Sequence, residues 1–194
     1  MGNKRAIIVV DCQNDFTEGG ALAVEGGDRV ARNISNHLTT YGTDYDLVIA
    51  TRDWHNPLPD TNSGHFDRWP VHCVAGTKGA EYDTNLLLPF RTIHVIKGMG
   101  REDYSGFDGV VSDLRGTRWN DETLLQVLLS NGVQYVDVVG LAFDHCVKAT
   151  ALDAVAKGDF VVQVLTDLTA GVAVDTTIEA ARLLTVNDVV LELS

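Results

Sequence analysis

The chain has 194 residues, 45% of them hydrophobic and 22% charged, so it is long enough to form one domain, 1–194, around a hydrophobic core. Its 15 basic and 27 acidic side chains give a formal net charge of −12, which argues against a nucleic acid or an anionic membrane as partner, because both need a basic face. Three cysteines without CxxC spacing argue against a disulfide scaffold and fit a reducing compartment.

The N-terminal stretch carries only a short apolar run, 6–10, between MGNKR and Asp11. That run is shorter than the apolar core of a secretory signal peptide. No apolar run in the sequence reaches the length of a membrane-spanning helix. We therefore expect a cytoplasmic protein without a membrane partner.

Strand and helix patterns alternate along the chain. Continuous apolar runs predict buried strands over 6–10, 47–51, 92–96, 136–139, 160–165 and 189–193. Apolar residues at helical spacing predict helices over 28–40, 121–131, 144–158 and 175–186. This alternation is typical of an α/β fold. We expect one three-layer αβα domain with a mostly parallel central sheet of about six strands.

A long polar stretch, 52–85, separates the second and third predicted strands. Loops of this length inside compact domains are usually functional or disordered. Disorder does not fit the large aromatic side chains in this one, which are Trp54, Phe66 and Trp69. The stretch is therefore predicted to be a functional loop.

Cys146 occupies a position that favours reactivity. It follows the predicted strand 136–139, which Gly140 ends, and Asp144 is predicted to cap the helix that runs to Gly158. The first turn of a helix offers unpaired N–H groups and the positive end of the helix dipole, which lower the pKa of a cysteine and make it a nucleophile. The alternative is that Cys146 is simply a small buried hydrophobe.

Polar side chains stand at the carboxyl ends of the first four predicted strands. They are Asp11, Asp53, His55, Lys97 and Cys146. Because parallel strands end at one edge of the sheet, these side chains should converge into a site with a nucleophile, an acid–base group and a cation. Adjacent helical residues point about 100° apart, so His145 is poorly placed to serve Cys146. Asp11 is the candidate base.

The polar loop also holds a pattern typical of metal ligands. Asp53 and His55 lie two residues apart in an extended segment and so point to the same side, and His65 and His72 follow in the same loop. A carboxylate with imidazoles suits one divalent ion (Zn, Fe or Mn) at a site with open positions. A set of surface histidines, or a closed zinc site that includes Cys73, remains an alternative.

Five motifs and one lysine together resemble the nicotinamidases and pyrazinamidases of the isochorismatase-like cysteine hydrolases. The resemblance spans nearly the whole chain, in order. Its elements are VDCQNDF (10–16), ATRDWH (50–55), WPVHC (69–73), Lys97, YSGF (104–107) and DHCVKATALDA (144–154).

The resemblance implies a catalytic role for three of these residues. Asp11, Lys97 and Cys146 are similar to the family's catalytic triad. The backbone N–H groups of Ala142 and Cys146 are similar to its oxyanion hole, with a cis peptide bond before Ala142.

Further positions are similar to the family's metal and substrate sites. Asp53, His55 and His72 resemble its metal ligands, and His65 resembles a fourth ligand that only some members carry. Phe16 and Trp69 resemble the aromatic walls around a pyridine ring.

The function that the resemblance implies is metal-dependent hydrolysis of nicotinamide to nicotinic acid and ammonia through a thioester at Cys146, in NAD salvage. Pyrazinamide would be converted to pyrazinoic acid in the same way. We expect a small-molecule carboxamide substrate, one divalent metal ion, and a monomer or small homo-oligomer. The alternatives are another isochorismatase-like amide or N-carbamoyl hydrolase, or a non-catalytic, metal-dependent ligand-binding module.

Overall fold

The computed structural model describes residues 3–57 and 64–194 and contains one eight-stranded sheet. The strands are β1 Lys4–Val10, β2 Leu47–Asp53, β3 Ile93–Lys97, β4 Val110–Ser112, β5 Trp119–Thr123, β6 Val133–Leu141, β7 Val161–Ala170 and β8 Val190–Glu192. The α-helices are α1 Gly27–Tyr41, α2 His65–Arg68, α3 Leu124–Ser130, α4 Lys148–Gly158 and α5 Val174–Val186, and a π-helical turn, Phe143–Val147, precedes α4.

The strand order is β5-β4-β3-β2-β1-β6-β7-β8. Six neighbouring strands, β3-β2-β1-β6-β7-β8, run parallel, which confirms the predicted α/β fold. An antiparallel β4–β5 hairpin extends the sheet beside β3. In the described ranges no helix is both long and apolar enough to cross a membrane.

The predicted helix 121–131 begins three residues later than expected. Thr123 forms a capping box with Gln126, in which each side chain bonds the other residue's backbone N–H. This starts α3 at Leu124, and the preceding exposed residues pair with β4 as β5. The sequence gives little sign of this strand, because its residues, Trp119–Thr123, lack an apolar alternation.

The side chains of β1 alternate between two hydrophobic layers. Ala6, Ile8 and Val10 pack into a cluster with the helices α3, α4 and α5. Ile7 and Val9 pack into a second cluster with α1 on the opposite face. All five side chains are fully buried. The central strand is therefore covered on both faces, as its continuous apolar run predicts.

Gly140 does not end β6, contrary to the prediction; the strand continues to Leu141. Gly140 has φ +112°, and a Cβ atom there would lie 2.1 Å from the carbonyl oxygen of Val10. Only glycine permits this close approach of β6 to β1. The strand can therefore stay paired with β1 up to the turn that carries Cys146.

The prediction that Asp144 caps the following helix is also wrong. The π-helical turn begins at Phe143, and Asp144 lies inside it, almost fully buried. Its carboxylate accepts hydrogen bonds from the Val172 N–H at 3.0 Å and from the Thr176 hydroxyl. Asp144 therefore ties the turn to the segment that starts α5. It does not cap the turn, because the turn begins two residues earlier than a cap at this position would require.

Candidate active site

The predicted polar residues meet at the carboxyl edge of four neighbouring strands, β3-β2-β1-β6. Lys97 and Asp53 are the last residues of β3 and β2 and are paired in register. Asp11 directly follows β1, and Cys146 lies in the turn after β6. All four are buried. The convergence follows the prediction, although Lys97 and Asp53 lie within their strands rather than after them.

Lys97 is at the centre of this group and is fully buried. Its Nζ lies 2.8 Å from Asp11 Oδ2 and 3.7 Å from Cys146 Sγ. It also donates a hydrogen bond to the carboxylate of Asp53. A buried ammonium is stable only when it is paired. Two carboxylates supply that pairing here.

Burial dominates the protonation of the group. It raises the pKa of the Cys146 thiol well above its usual value, although Lys97 acts in the opposite direction. It likewise raises the pKa of Asp11 more than Lys97 lowers it. The prediction that the helix terminus lowers the pKa of Cys146 is therefore wrong. A protonated thiol faces a carboxylate of increased basicity, which is a suitable pair for proton transfer.

Thr51 binds the carboxylate of Asp11 and Gln13 binds the backbone of Asp53, and sequence reasoning missed both. Thr51 Oγ1 donates to Asp11 Oδ1 at 2.6 Å. The Gln13 amide donates to the Asp53 carbonyl and accepts from the Asp53 N–H, each at 2.8 Å. The only sequence signal for Gln13 is the VDCQNDF motif, which it shares with Asp11. Thr51 likewise lies in the ATRDWH motif and has no other sequence signal.

The four predicted metal ligands also converge. His55, His65 and His72 each present a ring nitrogen, and these atoms lie within 4.8 Å of one another. The Nε2 atoms of His65 and His72 are 3.2 Å apart. Asp53 Oδ2 lies 3.7 Å from His55 Nε2 and 3.8 Å from His72 Nε2. Two ligands of one ion can be at most about 4.2 Å apart, since each lies about 2.1 Å from it. The separations of 3.2, 3.7 and 3.8 Å lie below that limit and fit a shared ion.

Hydrogen bonds orient the imidazoles for such an ion. His55 Nδ1 lies 3.0 Å from the Gly98 carbonyl oxygen, and His72 Nδ1 lies 2.7 Å from that of Pro70. With Nδ1–H donating to each carbonyl, the lone pair of Nε2 points into the cluster, which is the usual support of a metal-binding histidine. His55 Nε2 is buried and has no hydrogen-bond partner in the described part of the chain. The residues therefore fit a divalent metal.

The charge states are also suitable for metal binding. Burial favours the neutral form of Asp53, but Lys97, His55 and His72 outweigh it and hold the pKa of that carboxyl well below its usual value. Burial and the neighbouring histidines lower the pKa of His65 to about 4. At neutral pH the group thus contains an ionised carboxylate and a neutral imidazole, the forms that bind a metal.

Both alternatives for the histidines disagree with the structure. His55, His65 and His72 are all at least 97% buried, so they are not surface histidines. Cys73 packs in a small apolar cluster with Trp54, and in the described part of the chain it belongs to neither group of potential metal ligands.

A cavity of about 290 Å³ opens beside both groups. Phe16 and Trp69 line it, together with Ala142 and Cys146. The Leu141–Ala142 peptide bond is cis, as the resemblance implies. The cavity therefore connects the thiol, the aromatic side chains and the histidine cluster.

Tyr104 and His145 also line this cavity, and they were not among the predicted site residues. The Trp69 indole N–H donates to the Tyr104 hydroxyl at 3.0 Å. His145 Nδ1 lies 3.1 Å from Asp144, and within the described ranges no hydrogen bond joins His145 to Cys146. His145 is thus not the partner of the thiol, but its ring forms part of the cavity wall. Tyr104 could have been found through its YSGF motif.

The fold and the site define a class of α/β proteins in which a cysteine, an acid and a lysine meet at the carboxyl edge of a parallel sheet. Within that class the chain belongs to the isochorismatase domain family, whose sequence model matches residues 5–190. The resemblance inferred from the motifs is confirmed.

Individual relatives are similar over most of the chain. The nicotinamidase/pyrazinamidase of Mycobacterium tuberculosis (strain ATCC 25618 / H37Rv) is 49% identical over 179 residues, which cover 91% of each chain. The crystal structure of the pyrazinamidase of Pyrococcus horikoshii in complex with zinc has a TM-score of 0.83 and 32% identity, over 98% of this chain and 99% of that one. The crystal structure of PnC1 from L. infantum in complex with nicotinate has a TM-score of 0.81 and 31% identity, over 98% of this chain and 93% of that one.

Proposed function

We propose that this chain is a metal-dependent cysteine amidohydrolase that converts nicotinamide to nicotinic acid and ammonia. The observation that carries the proposal is the contact of Lys97 with Asp11, Asp53 and Cys146 beside a cavity whose lining includes two members of the histidine cluster, His65 and His72. The relative that is 49% identical and is named nicotinamidase/pyrazinamidase supports it. We treat 1–194 as one hydrolase domain, since one sheet contains all eight strands.

The reaction begins with a proton transfer. Asp11 accepts the Cys146 proton, and the Lys97 ammonium, 3.7 Å from Sγ, stabilises the thiolate. The thiolate attacks the carboxamide carbon, so that a C–S bond forms and the carbonyl oxygen becomes negative. The backbone N–H groups of Ala142 and Cys146 stabilise that oxygen.

The protonated Asp11 then gives its proton to the departing nitrogen. The C–N bond breaks, ammonia leaves, and a thioester remains on Cys146. A water molecule, deprotonated by Asp11, attacks the thioester carbon. The C–S bond breaks, the acid is released, and the thiol regains its proton.

Substrate position is set by the other side of the cavity. Phe16 and Trp69 enclose the planar ring between them. Asp53, His55, His65 and His72 would hold the divalent metal, which when bound would supply a ligand position for the pyridine nitrogen, directly or through water. The zinc complex of the P. horikoshii relative supports a divalent ion, and Zn, Fe and Mn all suit these donors.

The substrate class follows from the cavity. Its volume of about 290 Å³ suits a single-ring carboxamide, and the nicotinate complex of a relative supports the pyridine ring. Pyrazinamide, with a second ring nitrogen, is a substrate of the same shape. The physiological role is NAD salvage, since nicotinic acid is the product. The compartment is the cytoplasm, as the sequence leads us to expect.

The test is ammonia release from nicotinamide by purified protein before and after chelation. Benzamide, which has the same shape without the ring nitrogen, is the matched control substrate. We expect release that falls on chelation, returns with a divalent metal, and is much slower with benzamide. Well-folded, metal-restored protein that releases no ammonia from nicotinamide would refute the proposal. It would favour an N-carbamoyl substrate or a binding module.

A further inference from the structure

A second cavity, of about 360 Å³, lies on the other side of β2 from the candidate active site. Arg52 precedes Asp53 on this strand, so their side chains point to opposite faces of the sheet. Of the described residues that line it, none also lines the cavity beside Cys146. Its lining includes the side chains of Arg52, Trp54, Glu81, Tyr82 and Arg115.

Arg52 is a buried cation with an unused hydrogen-bond donor. Arg52 is only 2% exposed, and its Nη2 donates to the Leu114 carbonyl oxygen at 2.8 Å. Its Nε is buried and has no hydrogen-bond partner among the residues that the structure describes. Across the described ranges no carboxylate lies within ion-pair distance of this guanidinium. Arginine stays charged in proteins, so a buried guanidinium without an anion is energetically unfavourable.

Two aromatic rings fix the orientation of this guanidinium. The Arg52 Cζ lies 4.7 Å from the ring centroid of Trp54 and 4.7 Å from that of Tyr82. The Tyr82 ring is itself held by its hydroxyl, which donates to the Ala50 carbonyl oxygen at 3.1 Å. Cation–π contacts engage the faces of a guanidinium and leave the donors at its edge available. The guanidinium is therefore preorganised, with an N–H that lacks an acceptor within 3–57 and 64–194.

We propose that this cavity binds an oxyanion, namely the carboxylate or phosphate group of a small molecule, with Arg52 as the buried donor and Arg115 as an exposed second cation. A planar guanidinium matches the oxygen pairs of both groups. Glu81 is the one acidic side chain among the described lining residues, so the two arginines leave the lining positive. A positive cavity is unexpected in a chain with a net charge of −12.

The test is an NMR titration of the intact protein that follows the assigned Nε–Hε signal of Arg52. Sodium phosphate is added in one arm and sodium acetate in the other, with sodium chloride keeping the ionic strength constant. We expect a saturable shift of this signal in at least one arm, and the arm with tighter binding identifies the anion. The absence of a saturable shift in both arms would overturn the proposal.

Two exposed arginines provide matched variants. Arg115 lines the cavity, whereas Arg32 lies on the exposed side of α1, and each change to Gln removes one charge without disturbing buried structure. Arg115→Gln should raise the dissociation constant about threefold, the size expected for one partly screened charge. Arg32→Gln should leave it unchanged. Equal weakening in both variants would mean a general effect of net charge and would also overturn the proposal.

Discussion

Asp53 and Lys97 are register partners on adjacent strands, and the Lys97 ammonium donates a hydrogen bond to one oxygen of the Asp53 carboxylate. The other oxygen of Asp53 faces the imidazoles of His55 and His72. A single carboxylate thus contacts both the group around the thiol and the proposed metal site. Loss of the metal and loss of the lysine contact should therefore be linked through Asp53.

Replacing Asp53 should impair both halves of the site. Asp53→Asn removes a charged ligand and one of the two carboxylates that pair with Lys97, so we expect at least a tenfold loss of metal affinity. We also expect turnover to stay low when metal is restored in excess. Metal content and ammonia release measure the two effects. Asp44→Asn, at an exposed position, is the control. Full recovery of turnover on metal addition would show that the lysine contact is unimportant.

Cys146 should be essential for turnover but not for folding. Cys146→Ala removes the nucleophile, and no thioester can form, so ammonia release should fall to the background rate. The cavity left by one sulfur atom should cost at most about 1 to 2 kcal/mol of stability. Cys12→Ala, a change at another fully buried thiol, is the matched control and should keep its activity. Ammonia release by folded Cys146→Ala protein would contradict the proposed mechanism.

The sequence predicted the parallel core and the convergence of polar residues at its carboxyl edge, because both depend on local patterns. Apolar runs mark the buried strands, and polar residues directly after them mark the carboxyl edge where Asp11 and Cys146 meet. The distances from Lys97 to its three neighbours and the support from Thr51 could not be predicted. They depend on the register between strands that are far apart in the sequence, which no local pattern encodes.

The protonation of Cys146 shows a second limit. A helix terminus is visible in the sequence, and it favours a thiolate. Burial raises the pKa of that thiol, and the amount of burial becomes known only from the fold. Arg52 is a similar case, since the sequence does not reveal that its guanidinium is buried between two rings.

His94 should make the protein less stable in mild acid. Burial, and then the charge of Arg52, lower the pKa of His94 to about 4, against about 6.5 in the unfolded chain. Between these values the unfolded chain binds a proton that folded His94 does not bind, so stability falls as the pH falls through this window, whereas at pH 7 there is no loss. Urea unfolding at about pH 7.5 and about pH 5 measures the effect.

The variant His94→Gln isolates this contribution. It should show a smaller difference in unfolding free energy between the two pH values than the original chain. It should also be less stable at the higher pH, since His94 Nδ1 lies 3.0 Å from the Tyr82 hydroxyl and that contact would change. An identical pH dependence in the two proteins would show that His94 titrates normally when folded.

Asp144 should stabilise the fold through the link between the Cys146 turn and the start of α5. Its carboxylate accepts hydrogen bonds from the Val172 N–H and the Thr176 hydroxyl, and these bonds hold the pKa of Asp144 below its usual value although burial opposes them. Asp144→Asn replaces one acceptor oxygen with a donor that faces other donors, so we expect a loss of about 1 to 3 kcal/mol in unfolding free energy. Thr176→Val removes only the hydroxyl and should cost less. Urea unfolding of both variants measures this order, and a smaller loss for Asp144→Asn than for Thr176→Val would contradict the assigned role.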